Sequence, residues 1–215
     1  GRGRRYVETV YAQVLRHFDA TFEFQCFSDD PEDYADGIAV RDLPEPGLTG
    51  WFNKLALFKP GVFPAGERVI FFDLDTFIVG SIDFLAAYNG PFAIMRDVYR
   101  PNGLQSCVMA WEAGRHDNIW TAWDRQGRPL LPGGDQEWIE TIFQPAWLKP
   151  GYETLNGKAE RLQDLFPGKF ASYKAECMAG VPDGVAVVLF HGQPRPHQCG
   201  GWARQLWRDS AKVLG

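Results

Sequence analysis

Two carboxylates with one apolar residue between them, Asp73-Leu74-Asp75, follow the apolar run Val69-Ile70-Phe71-Phe72. If the run is a buried strand that continues through the acids, side chains alternate with a period of two. Asp73 and Asp75 then share one face, and Leu74 points back to the core. Paired anionic oxygens at the end of a rigid strand suit a hard divalent cation. A loop whose aspartates make only turn hydrogen bonds is the structural alternative. A second chemical candidate, His191, follows the apolar run from Val185 to Phe190 and opens His191-Gly192-Gln193-Pro194-Arg195-Pro196. Two carboxylates and an imidazole from neighbouring strands would make a mixed donor set for Mn²⁺ or Mg²⁺.

These residues need a scaffold, and the hydrophobic pattern supplies one. Apolar residues at Val7, Val10, Tyr11, Val14, Leu15 and Phe18 predict an amphipathic helix over Tyr6 to Phe18. Phe22 to Phe27 alternates as a strand, and residues 31 to 50, rich in Pro, Gly, Asp and Glu, read as a long loop. A short helix is expected over Trp51 to Phe58, with Leu55 and Phe58 inward, then the Asp73 strand and a short helix from Asp83 to Tyr88. Strands are expected at Phe92 to Met95 and Ser106 to Trp111, and a helix at His116 to Arg125. Gly133-Gly134 breaks the chain, and Asp135 is placed as N-cap of a helix running through Phe143. A strand at Val185 to Phe190 and a helix from Trp202 to Leu214 close the pattern. Strands alternating with helices predict one α/β layer fold in a single domain, residues 1–215.

Asp73-Leu74-Asp75, Gly134-Asp135-Gln136 and His191-Gly192-Gln193-Pro194-Arg195-Pro196, in this order, resemble the motifs of nucleotide-sugar glycosyltransferases with the GT-A fold. The glycogenin-like family 8 and its bacterial relatives are the nearest pattern, and the resemblance runs from about Tyr6 to Arg195. It implies a GT-A-like (Rossmann-like) mixed sheet flanked by helices. It also implies a metal held by Asp73, Asp75 and His191 that bridges the donor's phosphates. Lys54 matches a basic donor-binding position, Ser106 a small polar pocket position, Asp135 a ligand of the donor sugar, and Gln136 an amide beside the reacting carbon. A solvated lysine, a strand serine and a plain helix cap are the structural alternatives for Lys54, Ser106 and Asp135. The family implies a UDP-sugar donor, a glycan, lipid or protein acceptor, and retention of configuration. In one respect the sequence departs from the pattern: the family's first strand, which meets the nucleotide base, is missing ahead of the opening helix.

Bulk properties narrow the field. A net charge of −5 argues against nucleic acid as a partner. Four scattered cysteines without a C-x-x-C pair predict reduced thiols in a cytoplasmic protein, and no apolar run approaches a membrane span. Two rival functions stand beside the transferase. Phe71-Phe72-Asp73-Leu74-Asp75-Thr76 resembles the first motif of haloacid-dehalogenase-type phosphatases, but Thr76 and Phe77 stand where Gly and Thr belong. A catalytically silent sugar-binding module is the non-enzymatic reading, given the absent strand and eight tryptophans.

Overall fold

The opening helix, α1 (Arg2–His17), forms where the 3.6-residue period predicts it, and Val7, Val10, Tyr11 and Val14 are buried along one face. The computed structural model describes residues 2–30, 33–143, 159–210 and 212–213. After α1 come β1 (Phe24–Phe27), β2 (Ile38–Arg41) and a 3-10 helix over Gly50–Phe58. β3 (Arg68–Phe72), β4 (Thr76–Ile78), α2 (Asp83–Ala86), β5 (Phe92–Arg96) and β6 (Leu104–Glu112) follow. The helices α3 (Asn118–Arg125) and α4 (Gly134–Phe143) precede β7 (Glu160–Arg161), α5 (Leu162–Leu165) and β8 (Phe170–Ser172). A π-helical turn at Tyr173–Cys177, β9 (Val187–Leu189), a 3-10 turn at Pro196–Gln198 and α6 (Gly201–Ser210) complete the order. The last helix begins one residue before its predicted start; its predicted end, Leu214, lies outside the described residues.

The chain forms two compact units. The first comprises Gly1–Asp42, Phe72–Ala87 and Phe166–Gly215. In it β1 and β2 pair in parallel, Phe24 opposite Ile38. The predicted loop over 31–50 therefore contains a strand. β2 has only four residues and is half-buried or exposed throughout, so no apolar alternation marks it. β4, β9 and β8 form a second sheet, antiparallel between β4 and β9 and parallel between β9 and β8. Behind it Phe77, Tyr173, Cys177, Val188, Phe190 and Ala203 form a core, with the Tyr173 and Phe190 rings stacked at 4.5 Å.

The second unit comprises Leu43–Phe71 and Tyr88–Leu165. Its sheet runs β3-β6-β5-β7, mixing antiparallel (β5–β6) and parallel (β5–β7) pairs. β3 is half-buried along its length rather than buried. The Phe58, Phe92, Trp111, Trp123 and Trp138 side chains are buried in this unit, as is the predicted inward residue Leu55. The buried Glu140 of α4 accepts the Leu104 N–H at 2.6 Å and both ends of the Arg100 guanidinium, at 2.8 and 3.1 Å. Bidentate pairing of this kind holds the β5–β6 loop. The architecture is a mixed α/β fold.

Candidate functional site

The carboxylate pair sits in a turn, not on a continuing strand. β3 stops at Phe72, the Thr76 N–H donates to the Asp73 carbonyl at 3.1 Å, and β4 starts at Thr76. Alternation is broken there, so Leu74 is 48% exposed instead of facing the core. Asp73 and Asp75 are half-buried on either side of it. The turn belongs to the first unit. There Thr76 is opposite Leu189, and the Phe190 N–H donates to the Asp75 carbonyl at 3.2 Å. His191 is thus one residue beyond Asp75's backbone partner, at the same end of the paired strands.

The Asp75 carboxylate accepts a hydrogen bond from the Arg195 guanidinium and forms an ion pair with it. The Arg195 main chain is pinned: its N–H donates to Gln198 Oε1 at 2.7 Å and its carbonyl accepts the Gln198 N–H at 2.8 Å. Gly192, at φ +66°, lies near a second cation, since a Cβ built there would be 3.9 Å from Lys174 Nζ. Among the described residues, no group of three or more His, Cys, Asp and Glu side chains is gathered to hold a metal ion. Two carboxylates and an imidazole remain the donor chemistry of a hard divalent cation. The residues fit such an ion in donor chemistry, though not as a gathered group, and Asp75 holds a cationic group already.

The second unit gathers three other predicted residues. Lys54 lies on the 3-10 helix and Ser106 on β6, and Lys54 Nζ donates to Ser106 Oγ at 3.2 Å. The same ammonium is 3.8 Å from Asp135 Oδ2 and 5.7 Å from the centre of the Phe71 ring. Lys54 keeps only 16% of its side-chain exposure and Asp135 only 4%. Lys54 is therefore no solvated surface lysine. Asp135 is not the N-cap either, since α4 starts at Gly134 and Asp135 stands inside its first turn. The capping work falls to Glu137, whose Oε2 accepts the Gly133 N–H at 2.7 Å. Gly134 is required twice: its φ is +70°, and a Cβ there would lie 2.8 Å from the Trp51 ring. This close approach sets the start of α4 and with it Asp135. Gln136 follows on the same helix, half-buried.

Sequence reasoning missed Arg195 and Lys174 as members of the first group. Arg195 lay in plain view between two prolines that restrict its backbone. Lys174 carried no signal, because the π-helical turn that presents it has no pattern of its own.

Among solved structures, LgtC, a galactosyltransferase in complex with donor and acceptor sugar analogues, matches with a TM-score of 0.66. The match covers 98% of this chain and 92% of LgtC at 14% identity. The fold is that of the GT-A glycosyltransferases. The glycosyltransferase GlyE of Streptococcus pneumoniae TIGR4 matches at a TM-score of 0.65 and 15% identity over 98% of this chain. The chain spans 59% of the length of GlyE. The bifunctional WbbM glycosyltransferase gives 0.64 at 10% identity, with 47% of its own chain covered. No protein-family model matches the sequence, and no curated protein does.

Proposed function

We propose that this GT-A chain, taken as one glycosyltransferase-like domain over residues 1–215, moves a sugar from a UDP-sugar to a glycan, lipid or protein acceptor. The reaction is metal-dependent and retains configuration. One observation carries the reading: the β4–β9 register brings the Asp73-Leu74-Asp75 turn and His191 to one end of the same paired strands. Asp73, Asp75 and His191 would hold Mn²⁺ or Mg²⁺. When bound, the ion neutralises the negative charge that develops on the departing diphosphate. Lys54 supplies a positive charge to the donor, and Asp135 accepts hydrogen bonds from the donor sugar's hydroxyls. Gln136 presents an amide beside the reacting carbon, and Ser106 orients the Lys54 ammonium. A partly buried lysine–aspartate pair supports this assignment, because desolvating two charges seldom stabilises a fold on its own. No disulfide joins the four cysteines, which supports a reducing, cytoplasmic setting, and among the described residues no helix is long and apolar enough to cross a membrane.

Thermal denaturation tests the reading. UDP with Mn²⁺ should raise the melting temperature well beyond either component alone. At a hundred times its dissociation constant a ligand adds about 2.7 kcal/mol, or roughly 5–10 °C for a chain of this size. Asp73→Asn and Asp75→Asn should each remove the synergy. A shift of full size without Mn²⁺ would overturn metal dependence.

A further inference from the structure

We propose that Arg195 is an internal competitor for the cation at Asp75, so that the metal binds by displacing a guanidinium. The proposal rests on the metal-site reading above and adds a residue which that reading leaves out. Asp75 keeps 17% of its side-chain exposure and is engaged by the Arg195 guanidinium. A carboxylate in that setting is desolvated, and a charge-assisted bond compensates it. A divalent ion ligated by the same carboxylate would stand within a few ångströms of the guanidinium. Like charges so placed repel strongly where water is partly excluded. The two cations therefore exclude each other at Asp75.

The arginine is built to leave. Its backbone is held by Gln198 through main-chain N–H and C=O groups, so the turn does not depend on the side chain. The Cys199 thiol, donating to the Arg195 carbonyl at 3.4 Å, holds the same main chain. The Arg195 side chain is 41% exposed and can swing into water without opening the fold. The measured metal affinity is then the intrinsic affinity reduced by the fraction of molecules in which Asp75 is free of Arg195. Arg195 is a positioning residue here: it sets when Asp75 is available and performs no chemical step.

Mn²⁺ binding to the full chain without nucleotide, followed by electron paramagnetic resonance of free Mn²⁺ and by calorimetry, tests the idea. Arg195→Gln should bind Mn²⁺ at least fivefold more tightly than the unaltered chain, and Arg195→Lys should fall between them. A gain of affinity cannot come from simple damage to the fold, and Arg195→Lys keeps a charge at Asp75 if the glutamine variant folds poorly. Mn²⁺ affinity that is unchanged or weaker in both variants overturns the competition and leaves the metal site standing. No Mn²⁺ uptake by any of the three proteins overturns the metal-site reading, and the competition with it.

Discussion

Asp135 separates structural from chemical duty at the scale of one side chain. Its carboxylate is 3.8 Å from the Lys54 ammonium and nearly buried, and it stands inside the first turn of α4 rather than at its N-cap. Asp135→Asn removes the charge while keeping the shape, and leaves Lys54 without its carboxylate. A stability loss of roughly 1–3 kcal/mol is expected from the lost charge beside the partly buried ammonium. Adding Lys54→Met should recover part of it, because the double variant removes both charges of the pair. Neither change should restore chemistry: UDP release from UDP-glucose or UDP-galactose should stay at least tenfold below the unaltered chain, measured as free UDP. Full activity in Asp135→Asn would strike this residue from the site. Much of this cluster was legible in the sequence, since Lys54, Ser106 and Asp135 were singled out and do converge. The Arg195–Asp75 pair was not, because an arginine in a proline-rich turn is ordinarily solvated and spacing alone gives it no partner.

Elements with a strong period were the legible ones. α1, β6 and α6 each follow an apolar stripe or a long buried run, so burial and sequence agree. β2, β7 and β8 have four, two and three residues, too short for a period, and depend on their neighbours for existence. The Asp73 strand erred at its end for a related reason: alternation extrapolates a strand but says nothing about where a turn interrupts it. α3 allows an element-scale test. His116, just before that helix, hydrogen-bonds through Nε2 to the Pro91 carbonyl at 3.0 Å, with the Phe92 and Phe143 rings 5.1 and 5.6 Å away. Burial pushes its imidazole below the ordinary 6.5, outweighing the opposing pull of the Pro91 carbonyl. The unfolded chain therefore takes up this proton more readily than the fold. His116 contributes its full stability above pH 6.5 and loses it as pH falls through the lower folded value. Melting temperatures from pH 7.5 down to 5.0 should fall more steeply for the unaltered chain than for His116→Gln. Parallel curves would show that the imidazole takes up its proton equally in the folded and unfolded chain.

At the scale of the whole chain, the first unit is stitched from three separated stretches, and one buried hydrogen-bond chain crosses all of them. Gln13 of α1 accepts the Ile78 N–H of β4 at 2.7 Å, and its Nε2 donates to Ser210 Oγ of α6 at 3.3 Å. Ser210 in turn donates to the Leu206 carbonyl at 2.9 Å. Gln13, Ile78 and Ser210 are almost wholly buried. Gln13→Leu strands the Ile78 N–H out of reach of water, at a cost of roughly 1–3 kcal/mol. A fall of about 2–4 °C in melting temperature per kcal/mol should follow. No fall would mean that Ile78 finds another acceptor.

The exposed Leu74 makes the chain a ready substrate for spectroscopic labelling. Cys107, Cys177 and Cys199 are buried and Cys26 is half-buried. A Cys26→Ser, Leu74→Cys chain would therefore offer one accessible thiol, with Asp73 and Asp75 one residue away on either side, about 3.8 Å from Cα to Cα. A nitroxide attached there would sense a paramagnetic ion through dipolar broadening. It would report the arrival of Mn²⁺ at the turn without requiring turnover, nucleotide or acceptor.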